Sequence, residues 1–200
     1  MLGRRSFLTN LACAALVPAT AVLPAMLPTS GFANTPNRAG SRLDSLVRDI
    51  EPVLEIYNTN TKERAKFRFY RSSGYNMDAV REFNWIMRDW RQQETRQMDI
   101  RLLWGLAALR MSGIKAGNPG LIHANSGFRT NKTNDFLRAR GYGAAKKSLH
   151  LEAKAVDFTM PGAKVSDLAE IAEWLEIGGT GHYRNRFVHI DSGPKRKWYG

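Results

Sequence analysis

The stretch Ser148-Leu149-His150-Leu151-Glu152-Ala153-Lys154-Ala155-Val156-Asp157-Phe158 constrains this chain more than any other. Ala155 to Phe158 reads as a buried strand, and His150 falls in the turn that leads into it. A second histidine, His189, sits in Phe187-Val188-His189-Ile190-Asp191, which reads as another strand. His150 and Asp157 are too far apart to share one helical turn, but a loop running into a strand can bring them together. His189 on a neighbouring strand would complete a set of two imidazoles and one carboxylate. That is a three-ligand zinc set with a fourth position open for water. Such a metal can acidify water and polarise a carbonyl. By composition alone the signal is weak, because a lone histidine is more often a satisfied polar residue than a ligand.

The N-terminus reads as a removable segment rather than part of the fold. Gly3-Arg4-Arg5-Ser6-Phe7-Leu8-Thr9 is a charged region built on paired arginines, followed by a mostly apolar, alanine-rich run from Leu11 to Leu27. Gly31-Phe32-Ala33 ends on a small residue. The pattern is that of an export signal over residues 1–33, with the twin-arginine type preferred. Pro18 and Pro24 argue against a permanent membrane helix, so no stable anchor is expected after cleavage. Cys13, the only cysteine, lies inside this segment; Leu11-Ala12-Cys13 only faintly resembles a lipidation site, since the apolar stretch before it is very short. The mature chain therefore needs no disulfide in an oxidising compartment. Residues 34–40 read as a linker and 41–200 as one domain.

A formal charge of +12 and a pI of about 10.2 point to an anionic partner without choosing one. Loss of Arg4 and Arg5 would lower the charge only to +10. Nucleic acid, a membrane surface, an anionic wall polymer and a merely solvated surface all satisfy that number. No nucleic-acid motif is present, and an export signal argues against that partner.

The elements expected in between are helices and strands in a small α+β domain, an antiparallel sheet with flanking helices. Val53–Tyr57 and Lys66–Tyr70 read as a hairpin around the turn Asn58-Thr59-Asn60-Thr61-Lys62-Glu63. Met77–Trp90 carries a helical apolar face, and Asp99 is a natural N-cap for a helix reaching Met111. Leu121–Asn125 reads as a strand, Lys132–Arg140 as a helix, and Ser166 or Asp167 as the cap of a helix reaching Leu175. Gly178-Gly179-Thr180-Gly181 then turns the chain into two closing strands, His182–Tyr183 and Phe187–Asp191.

The wording of the motifs strengthens the metal reading. Ser148-x-His150-x-x-Ala153-x-Ala155-x-Asp157 resembles the Ser-x-His-x-x-Gly-x-Ala-x-Asp signature of zinc D-Ala-D-Ala peptidases with the hedgehog-type fold. Ser126-Gly127-Phe128-Arg129-Thr130 resembles their Ser-Gly-Tyr-Arg-Ser loop. Gly178-Gly179-Thr180-Gly181-His182-Tyr183, Phe187-Val188-His189-Ile190-Asp191-Ser192-Gly193 and Trp198 are similar to the C-terminal signature of the YcbK-like branch, which comprises exported murein endopeptidases. The resemblance spans about Val53 to Trp198. It implies zinc ligands at His150, Asp157 and His189, a substrate- or oxyanion-binding arginine at Arg129, and a supporting hydrogen bond from Ser148. The implied activity is hydrolysis of peptide cross-links in peptidoglycan by zinc-activated water, in the periplasm, by a monomer. The scissile bond would involve diaminopimelate or D-Ala, and the free carboxylates of such stems suit a basic domain.

Two departures stand out. Ala153 replaces the usual glycine; a positive φ there would cost alanine roughly 1 kcal/mol. His182 stands where tyrosine is more common, as a proton donor to the leaving amine, a substrate contact or a neutral variant. Related peptidases often place a glutamate base three residues before the last histidine ligand, where this chain has Arg186. Asp191, two residues after His189, is then the best carboxylate to take the proton, with orientation of His189 or an arginine ion pair as its alternative roles. Glu152 is a weaker candidate, and His123 reads as structural. The competing expectation is a non-catalytic wall-binding or regulatory domain that keeps the metal site.

Overall fold

The computed structural model describes residues 41–200. The expected export signal, 1–33, and linker, 34–40, lie outside the described residues. Strand alternation governs the first elements. β1 (Val53–Asn58) and β2 (Arg64–Arg68) form the expected hairpin, and β2 alternates exposed Arg64, Lys66 and Arg68 with buried Ala65 and Phe67. The hairpin turn is held by Asn58, whose Oδ1 accepts from the backbone N–H groups of Asn60 and Thr61. The short strands β3 (Tyr70–Arg71) and β4 (Gly74–Tyr75) pair separately.

Helices start where a side chain satisfies free N–H groups. Ser41 caps α1 (Arg42–Leu46), Asn76 caps α2 (Met77–Ile86), Asp99 caps α3 (Ile100–Lys115) and Thr130 caps α4 (Asn131–Ala139). α2 ends four residues before the expected Trp90, because Arg88–Glu94 folds into a turn closed by an Asp89–Glu94 bridge. α5 (Val165–Leu175) starts after Lys164, with no side-chain cap from Ser166 or Asp167.

β5 (Ile122–Ser126), β6 (Ala155–Thr159), β7 (Gly179–Tyr183), β8 (Phe187–Asp191) and β9 (Arg196–Tyr199) complete one sheet of order β2-β1-β5-β6-β8-β7-β9. The α+β class holds, but the sheet is neither small nor purely antiparallel. It has seven strands, and β1–β5 and β7–β9 pair in parallel. A parallel pair needs a long crossover, and α2 and α3 supply it between β1 and β5. β9 was not expected at all, since Arg196-Lys197-Trp198-Tyr199 carries little apolar alternation.

Register assigns the two faces. Ile56, Ile122, Ala124, Phe158, Val156, Val188 and Ile190 share one face, buried in the core with α3 and α5. Asp157, His189, Gly181 and Trp198 are cross-strand partners in one row on the other face. A bulge between Ala124 and Ser126 sets Ser126, rather than Asn125, opposite Asp157.

Candidate metal centre

His150 sits in a short 3-10 helix, Leu149–Glu152, that leads into β6. Ala153 ends it at φ 56°, in the left-handed region, where its N–H reaches back to the His150 carbonyl. The position does require positive φ, and an alanine occupies it. Asp157 and His189 are direct partners across β6 and β8. One ligand atom from each of His150, Asp157 and His189 lies within 4.8 Å of the others. The three residues are only 2%, 5% and 8% exposed.

The ring nitrogens divide their work. His150 Nδ1 is 2.6 Å from the Gly127 carbonyl, which can only accept, so Nδ1 carries the hydrogen and Nε2 is left bare, 3.3 Å from Asp157 Oδ1. His189 Nε2 is 3.2 Å from Asp191 Oδ2, and its Nδ1 faces Asp157 Oδ1 at 2.7 Å. Both imidazoles thus turn one nitrogen toward the same carboxylate oxygen while an acceptor behind holds the other. A buried metal centre of two histidines and a carboxylate uses this arrangement, with the outer acceptors fixing ring orientation. The donor set fits zinc.

The flanking loop is built for close approach. A Cβ on Gly127 would lie 2.4 Å from the Met87 carbonyl oxygen, so only glycine lets the loop pass there and present its carbonyl to His150. The Phe128 N–H donates to that Met87 carbonyl, and the Arg129 N–H donates to the His150 carbonyl. Asp89, almost fully buried, accepts from the Thr130 N–H at 2.9 Å and its hydroxyl at 2.8 Å. Arg129 is thereby aimed back at the centre. Its Nη2 donates to Asp157 Oδ2 at 2.8 Å and its Nε to Ser126 Oγ at 2.8 Å. Among the described residues Nη1 has no hydrogen-bond acceptor.

Burial and charge oppose each other throughout. Burial disfavours the Asp157 carboxylate, yet His150 and His189 beside it hold it well below the usual carboxylate range. Burial also disfavours charge on His189, but its hydrogen bonds to Asp157 and Asp191 prevail and push it up to about 9. For His150, burial wins and its pKa is lowered, so that ring is held neutral, as a ligand must be. Burial lowers Arg129 as well, against the pull of Asp157, but a guanidinium keeps its charge.

Other expected site residues fall elsewhere. His182 pairs with Val188, whose side chain is in the core layer, so strand parity sends it to the face opposite His189. It contacts Tyr199 there, with ring centroids 5.9 Å apart, away from the face that carries His189. Asp191 is completely buried and saturated: it accepts from the Gly179 and Gly193 N–H groups, from two nitrogens of Arg196 and from His189. A carboxylate so enclosed has no face open to water, which weakens the basis for expecting it as the base and favours both alternative roles, orienting His189 and pairing with an arginine, here Arg196. Ser148 supplies its backbone carbonyl to the Leu151 N–H, and its hydroxyl bonds no ligand among the described residues. Glu152 pairs with Lys154 at the surface, and His123 packs beside Tyr57. Asp89 and the Gly127 carbonyl escaped sequence reasoning. Gly127 lay in a motif that drew attention to Arg129, and nothing local sets Asp89 apart from a solvent-facing helix residue.

A family described as peptidoglycan L,D-endopeptidase MepK matches residues 46–198. The peptidoglycan L,D-endopeptidase MepK of Escherichia coli strain K12 is 34% identical over 175 residues, covering 87% of this chain and 88% of that protein. The probable peptidoglycan L,D-endopeptidase MepK of Haemophilus influenzae is 31% identical over 150 residues, covering 74% of this chain and 79% of that one. No solved structure matches the chain.

Proposed function

The chain belongs to the peptidoglycan L,D-endopeptidase MepK family of peptidases, and from that premise we propose that it hydrolyses peptide cross-links of bacterial cell-wall peptidoglycan with zinc held by His150, Asp157 and His189. The observation that carries the reading is the convergence of those three buried residues, each backed by a partner that leaves one donor atom free. The L,D type of bond named for the relatives is the bond proposed for this chain. When bound, zinc supplies a Lewis acid for the amide carbonyl and makes water acidic enough to serve as nucleophile.

The chain's own residues do the rest. His150 presents a bare Nε2 to the site, His189 presents Nδ1, which would give up its hydrogen to the metal, and Asp157 presents Oδ1 while Arg129 occupies Oδ2. Arg129 turns its remaining donors toward the carbonyl oxygen of a bound peptide, where negative charge grows as the amide is attacked. Asp191 orients His189 and is not assigned the proton-accepting role. Stem-peptide carboxylates meet a strongly basic protein, which favours encounter. The substrate lies outside the cytoplasmic membrane, in keeping with an export signal over residues 1–33 and a periplasmic mature protein. No helix among the described residues is long and apolar enough to cross a membrane. We assign the mature protein as a monomer without nucleic-acid partners.

The decisive experiment incubates purified protein with cross-linked muropeptides, with and without a chelator, and separates the products. New monomeric stems that vanish with chelator and return with zinc are expected. Their absence from the zinc-loaded sample would sink the proposal. One observation favours a second reading, a wall-binding domain without turnover: Asp191 is saturated and Glu152 faces away with Lys154, so neither carboxylate considered as a base is free at the centre. Tight muropeptide binding with no product would select that reading.

A further inference from the structure

We propose that Tyr183 is a catalytic hydrogen-bond donor of this centre, acting with Arg129 on the oxygen of the amide under attack, and that Trp198 is the positioning residue that aims it. The inference rests on the peptidase reading above and adds to it the residue that takes the place vacated by His182.

Strand parity makes the case first. Gly181 is the cross-strand partner of His189, so Tyr183, two residues on, returns to the metal face that His182 leaves. Its ring is stacked on Phe187 with centroids 4.4 Å apart and planes 24° apart. Trp198 comes from β9, beside Gly181, and its indole lies 5.1 Å from the His189 ring. Gly181 has to be glycine for this, because a Cβ there would lie 2.6 Å from the indole. Trp198 therefore touches the last metal-ligand candidate and Tyr183 together.

The direction of one hydrogen bond then decides what the phenol can do. Trp198 Nε1 is 3.1 Å from Tyr183 Oη. An indole N–H can only donate, so the phenol oxygen is the acceptor there, and its own hydrogen must point elsewhere. Among the described residues that hydrogen finds no acceptor. The phenol is half-buried and near enough to the Arg129 guanidinium for the two to interact electrostatically. A fixed, unspent donor within electrostatic reach of a cation, on the face that carries the candidate ligands, suits an oxygen on which charge develops. The bond is a donation only, and no proton leaves Tyr183.

The test compares wild type, Tyr183→Phe and Trp198→Phe on a purified cross-linked muropeptide, with zinc content measured for each. Y183F keeps the ring and its stacking. It is expected to keep zinc content and KM while kcat falls about 100-fold, the usual loss for one such donor. The same variant should bind a phosphinate analogue of the stem amide more weakly by a similar factor, a readout independent of turnover. W198F removes the N–H and keeps an aromatic ring. It should lower kcat in the same direction by about tenfold at unchanged KM, and it stands in if Y183F folds poorly. Wild-type kcat in Y183F, or a change confined to KM, overturns the inference and leaves the peptidase reading intact. Wild-type kcat in W198F removes the aiming role. A wild-type protein without turnover defeats the peptidase reading itself, and this inference with it.

Discussion

Asp191 changes meaning once its neighbours are known. Beside a histidine on a strand it resembles a base. Enclosed by two backbone amides, Arg196 and His189 Nε2, it is an anchor. Asp191→Asn should therefore weaken metal binding by about 10–100-fold, the usual range for an outer hydrogen bond to a ligand. A competition titration against a chromophoric chelator measures it, and unchanged affinity with a lower kcat would restore the proton-acceptor role. Ala153 is a balance of small effects. Its positive φ costs roughly 1 kcal/mol, while its buried methyl contributes about 0.8 kcal/mol and restricts the unfolded chain. Ala153→Gly should thus shift stability by no more than about 1 kcal/mol in denaturant melts and leave turnover intact. His189 sets a pH dependence in metal-free protein. Its folded pKa of about 9 exceeds the unfolded 6.5, so its charged form stabilises fully below pH 6.5 and fades as pH rises to 9. The melting temperature of chelator-treated protein should fall across that window, and zinc-loaded protein should not follow it, because metal replaces the proton. A flat profile without metal would contradict the charge assignment.

At the scale of elements, the 3-10 helix, the Ser126–Thr130 loop and the paired strands β6 and β8 divide the work of assembly. Each brings one component, and the loop and the 3-10 helix are held by groups from other elements: Met87 and Asp89 hold the loop, and the Gly127 carbonyl holds His150. Most of these elements were legible in the residues. Asp99 capped the helix it was expected to cap, and Phe187–Asp191 emerged as the strand it was read to be. The placement of His182 was not legible. His182 and His189 are both strand histidines, and sequence cannot say that Val188 rather than His189 faces His182 until the turn between β7 and β8 fixes the register. His182→Ala should accordingly leave zinc content and kcat at wild-type values. A loss of turnover at normal metal content would return His182 to the site.

Across the whole molecule, one sheet separates two functions. The helices close its apolar face, and the opposite face carries the candidate metal ligands together with the exposed cations of β2. The chain's charge of +12 makes attraction to an anionic wall polymer long-ranged only at low ionic strength, since screening shortens from about 30 Å at 0.01 M to about 3 Å at 1 M salt. Binding to purified sacculi should weaken steadily as salt is raised, by sedimentation; salt-independent binding would mean that contacts other than charge dominate. The α+β class agrees with the hedgehog-type peptidase architecture, and the same motifs that led to it had already singled out His150, Asp157 and His189. Local chemistry in the sequence was sufficient for that much: which residues can bind metal, which stretches are strands, and where helices begin, because these depend on side-chain identity and near neighbours. Only the tertiary structure decided that Asp191 is sealed, that His182 faces away, that Asp89 pins the arginine loop and that Trp198 reaches both His189 and Tyr183. Those outcomes depend on register and on contacts between residues distant in the chain, which no local pattern encodes.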